Sequence, residues 1–120
     1  MNCKKFFISL LGVCTAFILS GCSDNPEDIL EKYFKALRDG DSEMAAKYSA
    51  SYAGHEYTEE RRNHLFSEPD ILDVEYVQDG ERAIVTFQNE FVKGDELWLC
   101  QLLKRDGEWF ITGFSTVRKR

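Results

Sequence analysis

The chain has 120 residues, with 15 lysines and arginines against 21 aspartates and glutamates, and a formal net charge of −6. This length suits one small domain with a single core. The acidic balance argues against nucleic-acid binding and against general electrostatic adhesion to anionic lipid, because both require a basic surface.

The first 21 residues have the composition of an export signal. Lys4 and Lys5 precede an apolar run from Phe6 to Leu19, and two small residues follow it. The run is shorter than the ~20 residues that a membrane-spanning helix needs. The pattern therefore predicts a signal peptide over residues 1–21, and not a protein anchor.

A leucine, two small residues and a cysteine close this leader, over Leu19 to Cys22. These four positions resemble the lipobox of bacterial lipoproteins. The resemblance implies cleavage before Cys22, a thioether-linked diacylglycerol on its sulfur, and an acyl chain such as palmitate on its amino group. Several acyl chains make attachment effectively permanent, because each buried methylene contributes ~0.8 kcal/mol. The alternative interpretation is an ordinary secretory signal that happens to contain Cys22.

The lipoprotein resemblance also implies a location in the cell envelope. Ser23, which follows the lipid cysteine, does not resemble the aspartate of an inner-membrane retention signal. We therefore expect the outer membrane in a Gram-negative cell and the exterior of the plasma membrane otherwise. The expected membrane partner is the bilayer itself, through the lipid on Cys22.

Cleavage changes the charge and the cysteine count of the chain. Loss of Lys4 and Lys5 leaves 13 basic against 21 acidic residues, a net charge of −8. Residues 22–25 then form a tether of about 10 Å, and residues 26–120 form one domain. Cys100 becomes the only cysteine that the lipid does not use, so no internal disulfide is predicted. The simplest interpretation of Cys100 is a small buried side chain.

Three helices are predicted at the start of the domain. The first begins after Asn25, with Pro26 at its first position, and ends at Gly40. Asp41 caps a second helix and Thr58 a third, which ends near Phe66, and Pro69 closes the helical half. The predicted apolar stripes are Ile29, Leu30, Tyr33, Phe34 and Leu37 on the first helix, and Met44, Ala45 and Tyr48, with Tyr52 as a candidate member, on the second.

The period of the apolar residues changes to two after residue 70, which predicts four strands over 71–78, 81–91, 96–105 and 108–117. Asp79-Gly80 and Asp106-Gly107 are strong hairpin signals, and residues 93–95 provide the middle connection. The sequence therefore predicts an α+β domain in which N-terminal helices pack on a four-stranded antiparallel meander.

Two-residue turns predict the strand register and hence the two faces of the sheet. Leu72 is expected opposite Phe87, Val74 opposite Val85, Tyr76 opposite Ala83, Leu102 opposite Ile111, and Cys100 opposite Gly113. The face predicted to receive the first helix comprises Leu72, Val74, Tyr76, Val85, Phe87, Phe91, Trp98, Leu102, Trp109 and Ile111.

The opposite face carries more apolar residues than a solvated sheet face needs. The first hairpin is polar there, but the second is predicted to present five apolar residues. They form a candidate surface for a homodimer or an envelope protein partner: Leu97, Leu99, Leu103, Phe110 and Phe114.

The helical segment from Ile29 to Tyr48 and the meander that ends in Gly107 to Phe114 resemble a known fold. It is the cystatin-like or nuclear-transport-factor-2-like cone of small bacterial lipoproteins of unknown function. The resemblance implies a curved sheet around the long helix, a pocket at the wide end, and a dimer or partner surface on the other side of the sheet.

Enzymes of that superfamily use an aspartate or histidine base inside the cone, and the predicted inner face offers no such group. Asn89, Cys100 and Ser115, beside Trp98, are its candidate pocket residues, with ordinary core residues as the alternative. A second polar cluster consists of His55, Glu56, Tyr57 and His64. Its simplest interpretation is a group of solvated surface residues. No ligand spacing predicts a metal, and no cofactor is expected.

Two hypotheses for function remain at this point. The first is a non-catalytic, membrane-tethered interaction module that uses the outer face of the second hairpin. The second is a small-ligand binder or an enzyme that uses the interior of the cone. The sequence pattern shows the apolar outer face but no pair of catalytic residues. It therefore favours the first hypothesis.

Overall fold

The computed structural model describes residues 24–49, 57–77 and 79–119, and within them the chain forms three helices and one four-stranded sheet. The predicted α+β class is confirmed. The helices are α1 (Pro26–Asp39), α2 (Ser42–Tyr48) and α3 (Glu59–Leu65). The strands are β1 (Asp70–Val77), β2 (Arg82–Gln88), β3 (Glu96–Arg105) and β4 (Glu108–Arg118).

Helix α1 has the predicted bounds and the predicted buried stripe. The backbone N–H of Asn25 donates to Asp28 Oδ2 over 3.3 Å at its start. Gly40 ends it with a φ of 72°, a left-handed conformation that favours glycine. The five predicted stripe residues are all buried: Ile29, Leu30, Tyr33, Phe34 and Leu37.

Helices α2 and α3 begin at the predicted caps. Asp41 accepts from the N–H of Met44 over 3.1 Å, and the Thr58 hydroxyl accepts from the N–H of Arg61 over 3.1 Å. Met44 itself is 37% exposed, so its predicted place in a buried stripe is wrong. The seven residues of α2 bury only Ala45, because so short a helix makes fewer than two turns.

Two arginines join α1 to α3. Arg38 Nη1 donates to the carbonyl oxygen of Phe66 over 2.8 Å, just after α3 ends. Arg62 Nη1 donates to the carbonyl oxygen of Tyr57 over 3.0 Å, and Arg62 Nε donates to the carbonyl oxygen of Arg38 over 3.5 Å. Guanidinium groups at carbonyl-rich helix ends complement the helix dipole, so these contacts hold the two helices in one arrangement.

The sheet is an antiparallel meander in the order β1-β2-β3-β4, as predicted. Both two-residue turns have positive φ at both positions, 58° and 84° at Asp79-Gly80 and 51° and 81° at Asp106-Gly107. This is the turn geometry that matches the twist of paired strands.

One face of the sheet packs against α1 and closes the core. The face, called the inner face below, pairs Val74 with Val85 and Leu102 with Ile111, as expected. Its fully buried members are Ala83, Val85, Phe87, Cys100, Leu102 and Ile111.

Strand β2 is shorter than predicted and ends at Gln88. The connection to β3 is therefore a seven-residue loop, residues 89–95. Phe91 lies in this loop and is 41% exposed, so its predicted place on the inner face is wrong. The strand ends here because the side chain of Asn89 captures the backbone N–H groups of Phe91 and Val92, which folds the chain away from the ladder.

Two β-bulges change the predicted register. In β1, Ile71 and not Leu72 lies opposite Phe87, and Leu72 is 49% exposed. In β4, the extra residue is Thr112, so Cys100 lies opposite Phe114 and not Gly113. Because side chains alternate along a strand, one extra residue exchanges the faces of all the residues beyond it.

The leader with Cys22 and the residues His55, Glu56 and Tyr52 lie outside the described residues. Within the described ranges, none of the helices combines the length and the apolar character needed to cross a membrane.

Candidate functional site

A cavity of about 270 Å³ lies between α1, α3 and the inner face of the sheet. We call it the aromatic cavity. Its described lining consists of six aromatic side chains and two leucines: Tyr33, Phe34, Leu37, Tyr57, Leu65, Phe66, Trp98 and Phe114.

Helix α1 supplies one wall of the aromatic cavity. Tyr33, Phe34 and Leu37 lie within little more than one helical turn of each other, so all three face the sheet. The ring of Phe34 is the hub of the wall, with its centroid 5.4 Å from Phe87 and 5.5 Å from Phe66, both edge-on. Edge-on rings at such separations have a defined mutual orientation, which keeps the wall rigid.

The sheet supplies the opposite wall through Trp98 and Phe114. Trp98 stacks on Phe87 with centroids 5.7 Å apart, and Phe114 stacks on Tyr33 at 5.9 Å. Trp98 was predicted as a pocket residue, and the structure places it on the cavity wall.

The bulge at Thr112 is the reason that Phe114 belongs to this wall. Phe114 was predicted on the outer face, and that prediction is wrong because the register shift turns its ring inward. Ser115 was predicted on the inner face, and it instead pairs with Leu99 on the outer face and is exposed. The two residues have exchanged faces, which places a ring and not a hydroxyl in the core.

Asn89 does not offer its amide to a ligand, because all of its hydrogen-bonding groups are engaged by the protein. Its Nδ2 donates to the carbonyl oxygens of Leu65 and Ser67 over 3.1 and 3.2 Å. Its Oδ1 accepts from the N–H groups of Phe91 (3.1 Å) and Val92 (2.9 Å) and from the indole N–H of Trp98 (3.1 Å). Asn89 is therefore a positioning residue that connects the loop to α3 and orients Trp98.

Cys100 is fully buried on the inner face and is not among the described residues that line the aromatic cavity. Burial raises the pKa of its thiol far above the ordinary range. The thiolate is the nucleophilic form of cysteine, so this residue is an inert part of the core. The predicted polar wall of Asn89, Cys100 and Ser115 is thus not formed.

Two members of the second predicted cluster, Tyr57 and His64, lie within the described residues. His64 is exposed on α3, with its ring edge-on to Phe91 at 5.6 Å and its Nδ1 3.8 Å from Glu90 Oε1. Tyr57 lines the aromatic cavity, whereas His64 does not. In the described part of the chain no three His, Cys, Asp or Glu side chains are grouped so as to hold a metal ion.

The outer face of the second hairpin carries four of the five residues predicted for a partner surface. We call them the outer patch: Leu97, Leu99, Leu103 and Phe110, all half-buried. The guanidinium carbon of Arg105 lies 4.4 Å from the centroid of the Phe110 ring and covers part of it. The outer patch is therefore less exposed than the sequence pattern indicates.

Three residues of the aromatic cavity, Tyr33, Phe34 and Leu37, were predicted as core and not as a site. A stripe that fills a core and a stripe that lines a cavity have the same spacing in sequence, so periodicity cannot separate them. The one available signal was the excess of large rings on the first helix and the second hairpin.

No protein-family model matches the chain, and no curated protein matches it.

Proposed function

We propose that this chain is a lipid-anchored, non-catalytic binding module of the bacterial cell envelope, and that the aromatic cavity holds a small apolar ligand. The observation that carries the proposal is the lining of the cavity, in which aromatic and leucine side chains surround a space of about 270 Å³. Binding pockets are typically concave and mostly apolar, with a few polar groups that orient the ligand.

The size of the cavity indicates the class of ligand. A dry apolar cavity of about 150 Å³ is enough to bind benzene. The aromatic cavity is less than twice that size, so it suits a ligand of one or two fused rings. Tyr33 and Tyr57 are lining residues whose rings end in a hydroxyl group, so the lining is amphipathic at two positions.

The chemistry of the lining supports binding and not catalysis. General acid–base catalysis needs a positioned group whose pKa lies near the working pH. The described lining residues carry no carboxylate, imidazole or thiol. We therefore assign the protein no reaction and no cofactor.

The fold proposed for the module is the cystatin-like or nuclear-transport-factor-2-like cone. Support comes from the packing of α1 on one face of a four-stranded meander and from the two bulges, at Leu72 and Thr112. Bulges bend a strand and increase its twist, which curves a sheet around a helix.

The lipid anchor is supported by the motif that ends at Cys22. Mass spectrometry of the N-terminal peptide should find Cys22 as the first residue, bearing a diacylglycerol, in material from the membrane fraction. Cys22→Ser should move the protein to the soluble fraction. An unmodified Cys22 thiol in soluble material would contradict this part of the proposal.

The ligand site is tested by thermal melting with a panel of small aromatic probes that includes indole and naphthalene. A probe at about ten times its dissociation constant should stabilise the domain by about 1.4 kcal/mol, which raises the melting temperature by roughly 5–10 °C for a domain of this size. Leu65→Trp fills the cavity and should abolish the shift.

The matched control is Leu99→Trp, the same change on the outer patch, which should leave the shift intact. Circular dichroism must show that both variants fold. An absence of any shift across the panel, or equal shifts in Leu65→Trp and the parent, would contradict the proposal.

The outer patch supports a second candidate function, docking on a second copy or on an envelope protein. Leu97, Leu99 and Leu103 face outward from one strand, and Phe110 pairs with Leu103 beside them. Leu99→Lys with Phe110→Lys should leave the domain folded but monomeric by sedimentation velocity, whereas Glu75→Lys on the polar part of the same face should not change its mass. Unfolding of the double variant would show that the outer patch is part of the core.

A further inference from the structure

The sheet has two ends with different surroundings. Both two-residue turns, Asp79-Gly80 and Asp106-Gly107, lie at one end, which we call the hairpin end. The loop of residues 89–95 lies at the other, which we call the loop end. A strand of eight residues separates them by about 25 Å, since each residue of a strand rises ~3.3 Å.

Helix α1 runs from the hairpin end toward the loop end. Arg38, in its last turn, donates to the carbonyl oxygen of Phe66, and the neighbouring carbonyl oxygen of Leu65 accepts from Asn89 in the loop. At the other end of the helix, Glu27 lies near Tyr76. Desolvation is the larger cause that raises the pKa of the Tyr76 phenol, and the charge of Glu27 is the smaller one. Tyr76 is the last residue but one of β1, three residues before Asp79 of the first two-residue turn.

The aromatic cavity belongs to the loop end. Leu37 contributes from the last turn of α1, and Leu65 and Phe66 from the end of α3. Trp98 contributes from the third residue of β3, where it pairs with Phe87. The cavity and the start of α1 are therefore at opposite ends of the domain.

The residues just before α1, Asp24 and Asn25, are bonded to side chains of that helix. Lys32 Nζ lies 2.6 Å from Asp24 Oδ2, and the N–H of Asn25 donates to Asp28. Only Ser23 separates Asp24 from Cys22 in the sequence, and two residues of extended chain reach at most about 7 Å. With the lipid that the proposed function places on Cys22, this short reach favours a bilayer surface near the hairpin end.

The hairpin end carries two side chains suited to that contact, beside the exposed carboxylates of Asp79, Glu81 and Asp106. Tyr76 is 53% exposed, and its ring lies 5.9 Å from that of Trp109. The exposed Lys104 places its Nζ 5.5 Å from the Trp109 ring. Tyrosine is enriched at membrane–water interfaces, where its ring meets acyl chains and its hydroxyl meets water, and lysine extends its charge to the headgroups.

We propose that the domain rests on the headgroup layer of the bilayer by Tyr76 and Lys104 at the hairpin end, and that the aromatic cavity is thereby held away from the lipid. The ligand of the cavity then arrives from the aqueous side and not from the membrane. This inference rests on the proposed lipid anchor.

The test uses the full chain, processed by the cell and reconstituted into vesicles of phosphatidylethanolamine and phosphatidylglycerol. Glu81→Cys places a thiol at the hairpin end and Lys93→Cys at the loop end, and both positions are exposed. The lipid occupies Cys22 and Cys100 is buried, so a thiol-reactive fluorophore labels the new cysteine alone. A headgroup-linked quencher lipid should quench the label at position 81 at least threefold more than the label at position 93.

A second pair of variants tests the contact made by Tyr76. Tyr76→Ser should reduce the ratio of quenching at positions 81 and 93 by about half. Phe91→Ser, which removes a 41% exposed ring at the loop end, should leave this ratio unchanged. Equal quenching at both positions, stronger quenching at position 93, or a ratio unaffected by Tyr76→Ser would overturn the inference. These readouts require only folded protein, which circular dichroism verifies.

The same material separates this failure from failure of the lipid anchor. If the parent protein, without an added cysteine, takes up the fluorophore and does not float with the vesicles, Cys22 carries no lipid and the proposed anchor is wrong. If the parent floats and excludes the fluorophore but the quenching pattern is reversed, the anchor stands and only the orientation is wrong.

Discussion

The two halves of the inner face are built from different residues and pack differently. The half toward the hairpin end is filled by Ala83, Leu102 and Ile111, which are 0–1% exposed. The half toward the loop end contains the aromatic cavity, between Trp98 and Phe114 on the sheet and the rings of α1. We call them the filled half and the open half.

The difference shows how rings can enclose a space that aliphatic side chains would close. Aliphatic side chains adjust their rotamers to fill a core at high density. In the open half the rings are fixed by their partners, since Trp98 donates to Asn89 and Phe114 stacks on Tyr33. A wall held in this way does not collapse into the space beside it.

The largest expected effect is the loss of a side chain from the filled half. Leu102→Ala should lower the free energy of unfolding by about 3–5 kcal/mol, because it leaves a void with few means of closing. Leu65→Ala, at the edge of the open half, should cost less than half as much, because Leu65 already borders empty space and makes fewer contacts. Urea denaturation measures the free energy of unfolding of both variants. Equal losses would contradict the distinction between the filled half and the open half.

The next effect concerns the residue that holds the open half in place. Asn89→Ala should lower the free energy of unfolding by about 2–4 kcal/mol, because buried N–H and C=O groups lose their partners. The freed Trp98 should also show a red-shifted fluorescence emission.

Gln88→Ala is the control for that variant. Gln88 also supports the loop, through bonds from Nε2 to the carbonyl oxygens of Gly94 and Glu96 at 3.2 and 2.8 Å, but it is exposed enough for water to replace it. Its removal should cost less than about 1 kcal/mol. If Gln88→Ala were as damaging as Asn89→Ala, the role assigned to Asn89 would be wrong.

A smaller effect depends on pH and concerns Cys100, which lies between the two halves. Burial raises the pKa of its thiol, so the folded protein keeps the proton that the unfolded chain loses above about pH 8.5. The contribution of Cys100 to stability is therefore constant below that pH and falls above it, by up to ~1.4 kcal/mol per pH unit.

Cys100→Ala isolates this contribution from the other groups that titrate at high pH. The stability difference between parent and variant should shrink by about 2 kcal/mol between pH 7 and pH 10, as the thiol of the unfolded parent ionises. Urea denaturation at the two pH values measures it. A difference that does not change with pH would show that the thiol is not kept protonated in the fold.

The smallest effect lies outside both halves, on the exposed side of α1. Desolvation, followed by the charges of Asp28, Glu68 and Glu27, raises the pKa of Glu31. Its ionisation therefore opposes folding above that pKa, and the penalty disappears as the pH falls below it. Glu31→Gln should stabilise the domain at pH 7 by no more than about 0.5 kcal/mol, given its exposure to solvent, and should have no effect at pH 3. Thermal melting at both pH values checks this, and stabilisation at pH 3 alone would contradict it.

The sequence was most informative where a few adjacent residues decide the structure. Asp-Gly at both hairpins, Asn25-Pro26 at the start of α1 and Gly40 at its end predicted turns and helix bounds that the structure confirms. Such signals act through the local backbone, in which glycine tolerates positive φ and proline suits a first helical turn.

The site was less predictable because it depends on contacts between distant residues. Trp98 was identified as a pocket residue, but Asn89 proved to be its support and Ser115 lies on the other face. The loss of Phe114 from the outer patch removed part of the surface that had favoured a docking function. Cavity and core share one spacing in sequence, so only the assembled helices and sheet distinguish them.

The sequence by itself determined the order of the elements, the turns between the paired strands and the stripe that α1 buries, because each depends on local backbone preference and on the period of apolar residues. Only the tertiary structure decided the bulge at Thr112. One extra residue in β4 buries the ring of Phe114 against α1 and leaves the Ser115 hydroxyl in water. The free energy of burying a ring exceeds what a disrupted ladder position costs, and that balance exists only once helix and sheet are in contact.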